Sequence, residues 1–172
     1  MNQTVKDLIE RRSIRAYKPN QVKEEQLLEI LEAGKYAASG KGRQPVKMIV
    51  VQDKETIEML SKMNAAVMGA DTDPFYGAPT VIVVVADTTA STWFADGTLV
   101  IGNLMNAAHA VGVDSCWINR ATQVFDSEEG KALLKKWGIE GEYRAIGNCV
   151  LGYRACGYPS AAPRKEGMVI RV

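Results

Sequence analysis

The chain has 172 residues, and 21 basic against 20 acidic side chains leave a net charge of +1, with 47% of residues hydrophobic and only 7% aromatic. That length suits one domain over residues 1–172, and near-neutral charge argues against a nucleic-acid partner, which calls for a strong basic excess. No apolar run approaches the roughly 20 residues of a membrane span, Met1-Asn2-Gln3-Thr4 does not open a signal peptide, and three cysteines without C-x-x-C spacing suit a reducing cytoplasm better than a disulfide scaffold or zinc ribbon.

Thr4 and Asp7 suggest a capped first helix carrying Val5, Leu8 and Ile9, running into Arg11-Arg12-Ser13-Ile14-Arg15 and finished before Pro19. Leu27, Ile30, Leu31 and Gly34 predict a second amphipathic helix from Lys23 to about Ala38. Ser39 to Pro45 reads as a loop and Val46 to Val51 as a buried strand. A third helix, Lys54 to about Met68, sets Ile57, Leu60, Met63 and Val67 on one face, and a polar loop carrying Phe75 and Tyr76 follows it. Thr80 to Ala86 is dense in valine without polar alternation, the pattern of a central strand covered on both faces. Trp93 to Val111 predicts a helix apolar nearly all round, stopped by Gly112 and buried in the core or against a second subunit. Val113 to Ile118 reads as a strand, Asp126 caps a helix ending near Trp137-Gly138, and Ala145 to Tyr153 and Met168 to Val172 complete five candidate strands. No repeat or linker divides the chain.

Two glycine patterns fail as nucleotide loops. Gly40-Lys41-Gly42 lacks the third glycine and leads into a strand, and Gly34 to Lys41 has the wrong spacing, with Gly42 where Ser or Thr would bind magnesium. The one histidine, His109, lies within the apolar helix and reads as a core or interface residue; Cys149 reads as a small buried hydrophobe. With so little histidine, metal sites and Ser-His-Asp triads have few candidates, and any enzymatic chemistry is expected from a cofactor. Arg11, Arg12, Ser13 and Arg15 stand apart: three guanidiniums and a hydroxyl can surround a phosphate, or simply form a solvated basic face. At a helix C-terminus the macrodipole is negative, so a phosphate there must be held by side chains.

R-R-S-x-R early, S-G-x-x-R-Q-P about 25 residues on, and G-V-D-S-C-W-I after the long apolar helix occur in one order. This ordered set resembles the flavin-dependent nitroreductase family, closely its short single-domain members, over essentially the whole chain. The resemblance implies an α+β fold, an α-β-α sandwich with a mixed, mainly antiparallel sheet between helices, assembled as a homodimer. It implies FMN gripped by Arg11, Arg12, Ser13 and Arg15, touched by the neighbouring subunit's Ser39, Gly40 and Gln44, passed at its edge by Cys116, Trp117 and Ile118, and closed at the phosphate by Arg164, with Lys165 as the alternative. Gly42 stands for the family's usual asparagine, Val46 for its tryptophan, and Asn119-Arg120 where a glutamate often follows. Phe75 and Tyr76 are candidate pocket walls.

The implied activity is FMN-dependent NAD(P)H oxidoreduction in the cytoplasm, a ping-pong hydride transfer to a small nitroaromatic or quinone-type acceptor, with no protein nucleophile, metal, membrane or nucleic acid involved. Specialised flavin chemistry such as reductive dehalogenation or flavin fragmentation, and flavin storage without turnover, stand as alternatives.

Overall fold

All residues from 1 to 172 are described by a computed structural model. In chain order the elements are α1 (Gln3–Glu10), α2 (Glu24–Lys35), a 3-10 turn (Gly40–Gly42), β1 (Val46–Val51), α3 (Lys54–Met68), β2 (Thr80–Asp87), α4 (Trp93–Ala110), β3 (Asp114–Ile118), α5 (Ala121–Asp126), α6 (Glu128–Lys136) and β4 (Tyr143–Gly152). The sheet order is β1-β2-β4-β3, and all three strand pairs are antiparallel. The one parallel feature is a bridge between Ser13 and Ser115, which lays the segment after α1 along the β3 edge.

Side chains on a strand alternate between faces, and β2 shows what that requires here. Val81, Val83 and Val85 pack with Ile57 and Leu60 of α3, Phe125 of α5 and Leu134 of α6. Ile82, Val84 and Ala86 pack instead with Ile30 of α2 and Ile101 and Leu104 of α4. Apolar side chains are needed on both faces, which is why β2 carries no polar alternation. The α+β sandwich is as expected from the resemblance. No helix is long and apolar enough to cross a membrane.

Several local expectations need correction. The cap of α1 is Asn2, whose Oδ1 accepts from Val5 N, while Asp7 accepts from Gln3 four residues back. The helix stops at Glu10 because Arg12 Nη1 donates to the carbonyls of Ile9, Glu10 and Arg11, consuming the acceptors of its last turn. Asp126 caps nothing: it ends α5 and pairs with Arg144, and Ser127 caps α6 by accepting from Gly130 N. The buried face of α3 is Ile57, Leu60, Asn64 and Ala65, with Val67 exposed. Met168 to Val172 forms no strand; it lies exposed and pairs with no strand of its own chain.

Helix α4 approaches β4 so closely that a Cβ on Gly97 would lie 2.4 Å from Ile146 Cγ1. Gly97→Ala is expected to destabilise the fold by about 1–3 kcal/mol through overpacking, measured by urea unfolding.

Candidate functional site

The arginine cluster is placed by hydrogen bonds to the sheet edge. Ile14 N donates to Ser115 O at 3.0 Å, Lys18 N to Tyr153 O at 2.8 Å, and Tyr17 Oη to Ile14 O at 2.9 Å. These bonds set Ser13 and the Arg11 and Arg15 charges beside Cys116, where Arg15, Ser13 and Arg11 each bear on its thiol. No carboxylate answers these cations: none of the five ion pairs contains Arg11, Arg12 or Arg15. The Nε atoms of Arg11 and Arg12 are buried with no hydrogen-bond partner, a state that costs about 1–3 kcal/mol, and more for a charged group, unless an acceptor is supplied.

The two arginines divide the work. Arg12 spends Nη1 on the end of α1, and its backbone N donates to Tyr158 Oη at 3.1 Å. Tyr158 Oη donates to Glu10 O at 2.9 Å and lies 3.4 Å from Nδ1 of His109, whose ring stacks on Tyr158. Tyr158 and His109 therefore clamp the turn that presents Arg11. His109 is half-buried at this contact, in keeping with a structural residue.

A second cluster forms at the opposite edge, before β1. Gly40 N donates to Asp96 Oδ1 at 3.0 Å, Thr92 Oγ1 donates to Asp96 Oδ2, and Gln44 N donates to Ser39 Oγ at 3.1 Å. Only glycine fits at position 40, since a Cβ would lie 2.2 Å from Thr92 Oγ1. Asp96 is buried in the first turn of α4, and its place in an otherwise apolar helix is the sequence signal that could have marked it as an anchor. Tyr158 carried no such signal.

Within one chain these clusters do not meet. Ser39, Gly40 and Gln44 are tied to Asp96 near the start of α4, and the Arg11–Arg12 turn to His109 near its end. Thirteen residues of helix separate the two by about 20 Å. Cys116 and Ile118 face the α3 and α5 layer, whereas Trp117 faces α4, so the three side chains do not share a surface. Arg164 lies in the exposed C-terminal segment and donates to Ala162 O; neither it nor Lys165 reaches the cluster. A cavity of about 750 Å³ lies between α3 and the 70–79 loop and includes Phe75 but none of the arginines. Tyr76 is only partly buried, packed against the core beside Tyr17.

Burial pushes the Cys116 thiol up, and the Arg15 charge, the Ser13 side chain and the Arg11 charge offset it only in part. Burial likewise pushes Cys149 up to about 12. Both thiols stay protonated and inert at neutral pH. Iodoacetamide at about pH 8 is therefore expected to modify exposed Cys156 first and to leave Cys116 and Cys149 unmodified in the folded protein, as checked by peptide mass spectrometry.

The chain is similar to known proteins over nearly its whole length. The profile described as Nitroreductase family matches residues 8–153. A protein of Archaeoglobus fulgidus with a provisional NADH dehydrogenase/NAD(P)H nitroreductase name is 34% identical over 159 residues, covering 89% of this chain and 86% of the relative. The FMN-bound nitroreductase of Bacteroides fragilis superposes with a TM-score of 0.92 at 28% identity, over 100% of both chains. That of Desulfitobacterium hafniense, also FMN-bound, superposes at 0.89 and 27%, again over 100% of both. A family profile that spans residues 8–153, in a fold shared end to end with these proteins, makes the chain a member of the nitroreductase family.

Proposed function

We propose that the chain is an FMN-dependent NAD(P)H oxidoreductase that reduces small nitroaromatic or quinone-type acceptors, nicotinamide and acceptor taking turns in one pocket. The observation that carries this reading is the Arg11 guanidinium, buried at Nε with no acceptor and no counter-ion beside the Ser13 hydroxyl. A terminal phosphate supplies what that donor set lacks, so the residues fit FMN. Bound FMN supplies the redox chemistry, exchanging a hydride with nicotinamide or acceptor.

The chain's own residues bind and orient. Arg11, Ser13 and Arg15 hold the phosphate end, with each charge-assisted bond contributing roughly 1.5–3 kcal/mol, and Arg12 keeps Arg11 in place through the end of α1. The segment Cys116, Trp117 and Ile118 flanks the ring system. Arg164, held on Ala162 O and out of reach of these residues in the single chain, closes the cage when its segment moves to the phosphate, since the six residues after Tyr158 span up to about 20 Å. Three free thiols suit a reducing cytoplasm.

The active unit in this reading is a homodimer. Pairing α4 with its copy antiparallel across a twofold axis sets the Asp96-held Ser39, Gly40 and Gln44 of one subunit beside the arginines of the other, joining clusters that one chain keeps about 20 Å apart. Exposed apolar residues on α4 and α1 support this: Phe94, Leu99, Leu8 and Ile9 are each about half exposed. Leu104 is fully buried in its own subunit's core, so a charge there would report on folding, and Leu99 is the position that reports on assembly.

The decisive experiment is anaerobic stopped-flow mixing of the yellow protein with NADH and with NADPH. Rapid bleaching of the flavin bands is expected, and none would leave only a flavin-binding protein. Arg11→Ala or Arg15→Ala is expected to weaken FMN about 10–100-fold while moving riboflavin less than about threefold, measured by flavin fluorescence. Leu99→Lys is expected to shift sedimentation toward the monomer and to lose FMN together with the dimer.

A further inference from the structure

Asn64 sits four residues after Leu60, where the apolar stripe of α3 calls for a hydrophobic side chain, and it is fully buried. Its Nδ2 donates to Asn119 O at 2.9 Å, while its Oδ1 has no partner. Only a donor can meet that carbonyl, so the amide's orientation is fixed by the contact. A core that needed only packing would carry leucine here; a buried amide satisfied at one end points to a task for the end that is satisfied.

The bond holds an unusual bend. Asn119 and Arg120 join β3 to α5, and Arg120 has φ +73° without being glycine. A side-chain-bearing residue stays left-handed only where its surroundings impose it. All peptides in the chain are trans, so the carbonyl of Asn119 and the N–H of Arg120 point in opposite directions across one plane. With the carbonyl drawn in to α3, that N–H faces away from α3, and no backbone acceptor in the chain takes it. The bend ends the same edge strand that carries Cys116 beside Ser13, Arg11 and Arg15.

We propose that Asn64 is a positioning residue: it locks the Asn119–Arg120 peptide so that the Arg120 N–H is held out as a hydrogen-bond donor to the flavin ring. The assignment rests on the FMN reading above and adds the device that fixes the donor. Replacing Asn64 by leucine fills the stripe but frees the peptide to turn, because nothing else grips the Asn119 carbonyl.

Amide hydrogen exchange of Arg120, followed by NMR in the dimeric protein, tests this without reference to turnover. Loading FMN into the wild-type protein is expected to slow exchange at Arg120 about tenfold or more, the protection of one new hydrogen bond. In Asn64→Leu that protection is expected to vanish, with FMN still bound within about threefold because the phosphate grip is untouched. Unchanged Arg120 exchange on loading the wild-type protein overturns the proposal, as does full protection in Asn64→Leu. If Asn64→Leu does not fold, Asn64→Ala, which removes the amide without adding bulk, is read in the same way, and full Arg120 protection in it overturns the proposal. Failure of the wild-type protein to take up FMN at all shows first in its absorbance spectrum and overturns the cofactor reading with it.

Discussion

Two strands buried on both faces govern everything else in this molecule. Thr80 to Ala86 of β2 and Ala145 to Gly152 of β4 are buried throughout, so their residues are apolar, small or internally satisfied, with the unpartnered Oδ1 of Asn148 as the exception. Thr80 meets the condition through Gln21 and Gln52. No exposed cation or mobile donor can live on such strands. The polar chemistry is pushed outward, to the β3 edge with Ser13 and the arginines and to the loop before the β1 edge with Ser39, Gly40 and Gln44. In the proposed function these two clusters form one binding site only when a second sheet completes it.

Backbone strain follows the same division. Four residues other than glycine have positive φ: Lys41, Gln44, Tyr76 and Arg120. Lys41 and Gln44 shape the loop held by Asp96, Tyr76 accepts from Tyr17 N beside the arginine segment, and Arg120 ends β3. Each costs on the order of 1–2 kcal/mol, and the buried strands carry none of it. The core is relaxed and the rim is not.

What the sequence revealed depended on whether a segment answers to its own neighbours or to distant ones. β2 and α4 were legible because burial on every side leaves a composition no other environment tolerates. α5 was not, since six residues give less than two turns of periodicity. The R-R-S-x-R cluster was visible as charge, but nothing local said that Arg12 would turn back onto α1 while Arg11 remained free. Asn64 is not legible in the sequence, because its neighbours Met63 and Val67 continue an apolar stripe without it and its partner lies 55 residues away. Local composition alone makes the tail at Met168 to Val172 look like a strand, but a strand is a property of two segments.

Helix α1 buries none of its eight residues. It is attached to the rest of the chain through its final turn, where Arg12 and Tyr158 grip the carbonyls of Ile9, Glu10 and Arg11. A helix so held belongs to the least protected part of the fold and frays long before the sheet melts. Fraying would release the turn that carries Arg11, and whatever covers Leu8 and Ile9 would oppose it. In the proposed FMN-binding homodimer, cofactor retention, helix order and subunit association would be one linked equilibrium. On warming or dilution such a protein would lose its colour while its sheet remained intact, and would regain it on concentration with fresh cofactor.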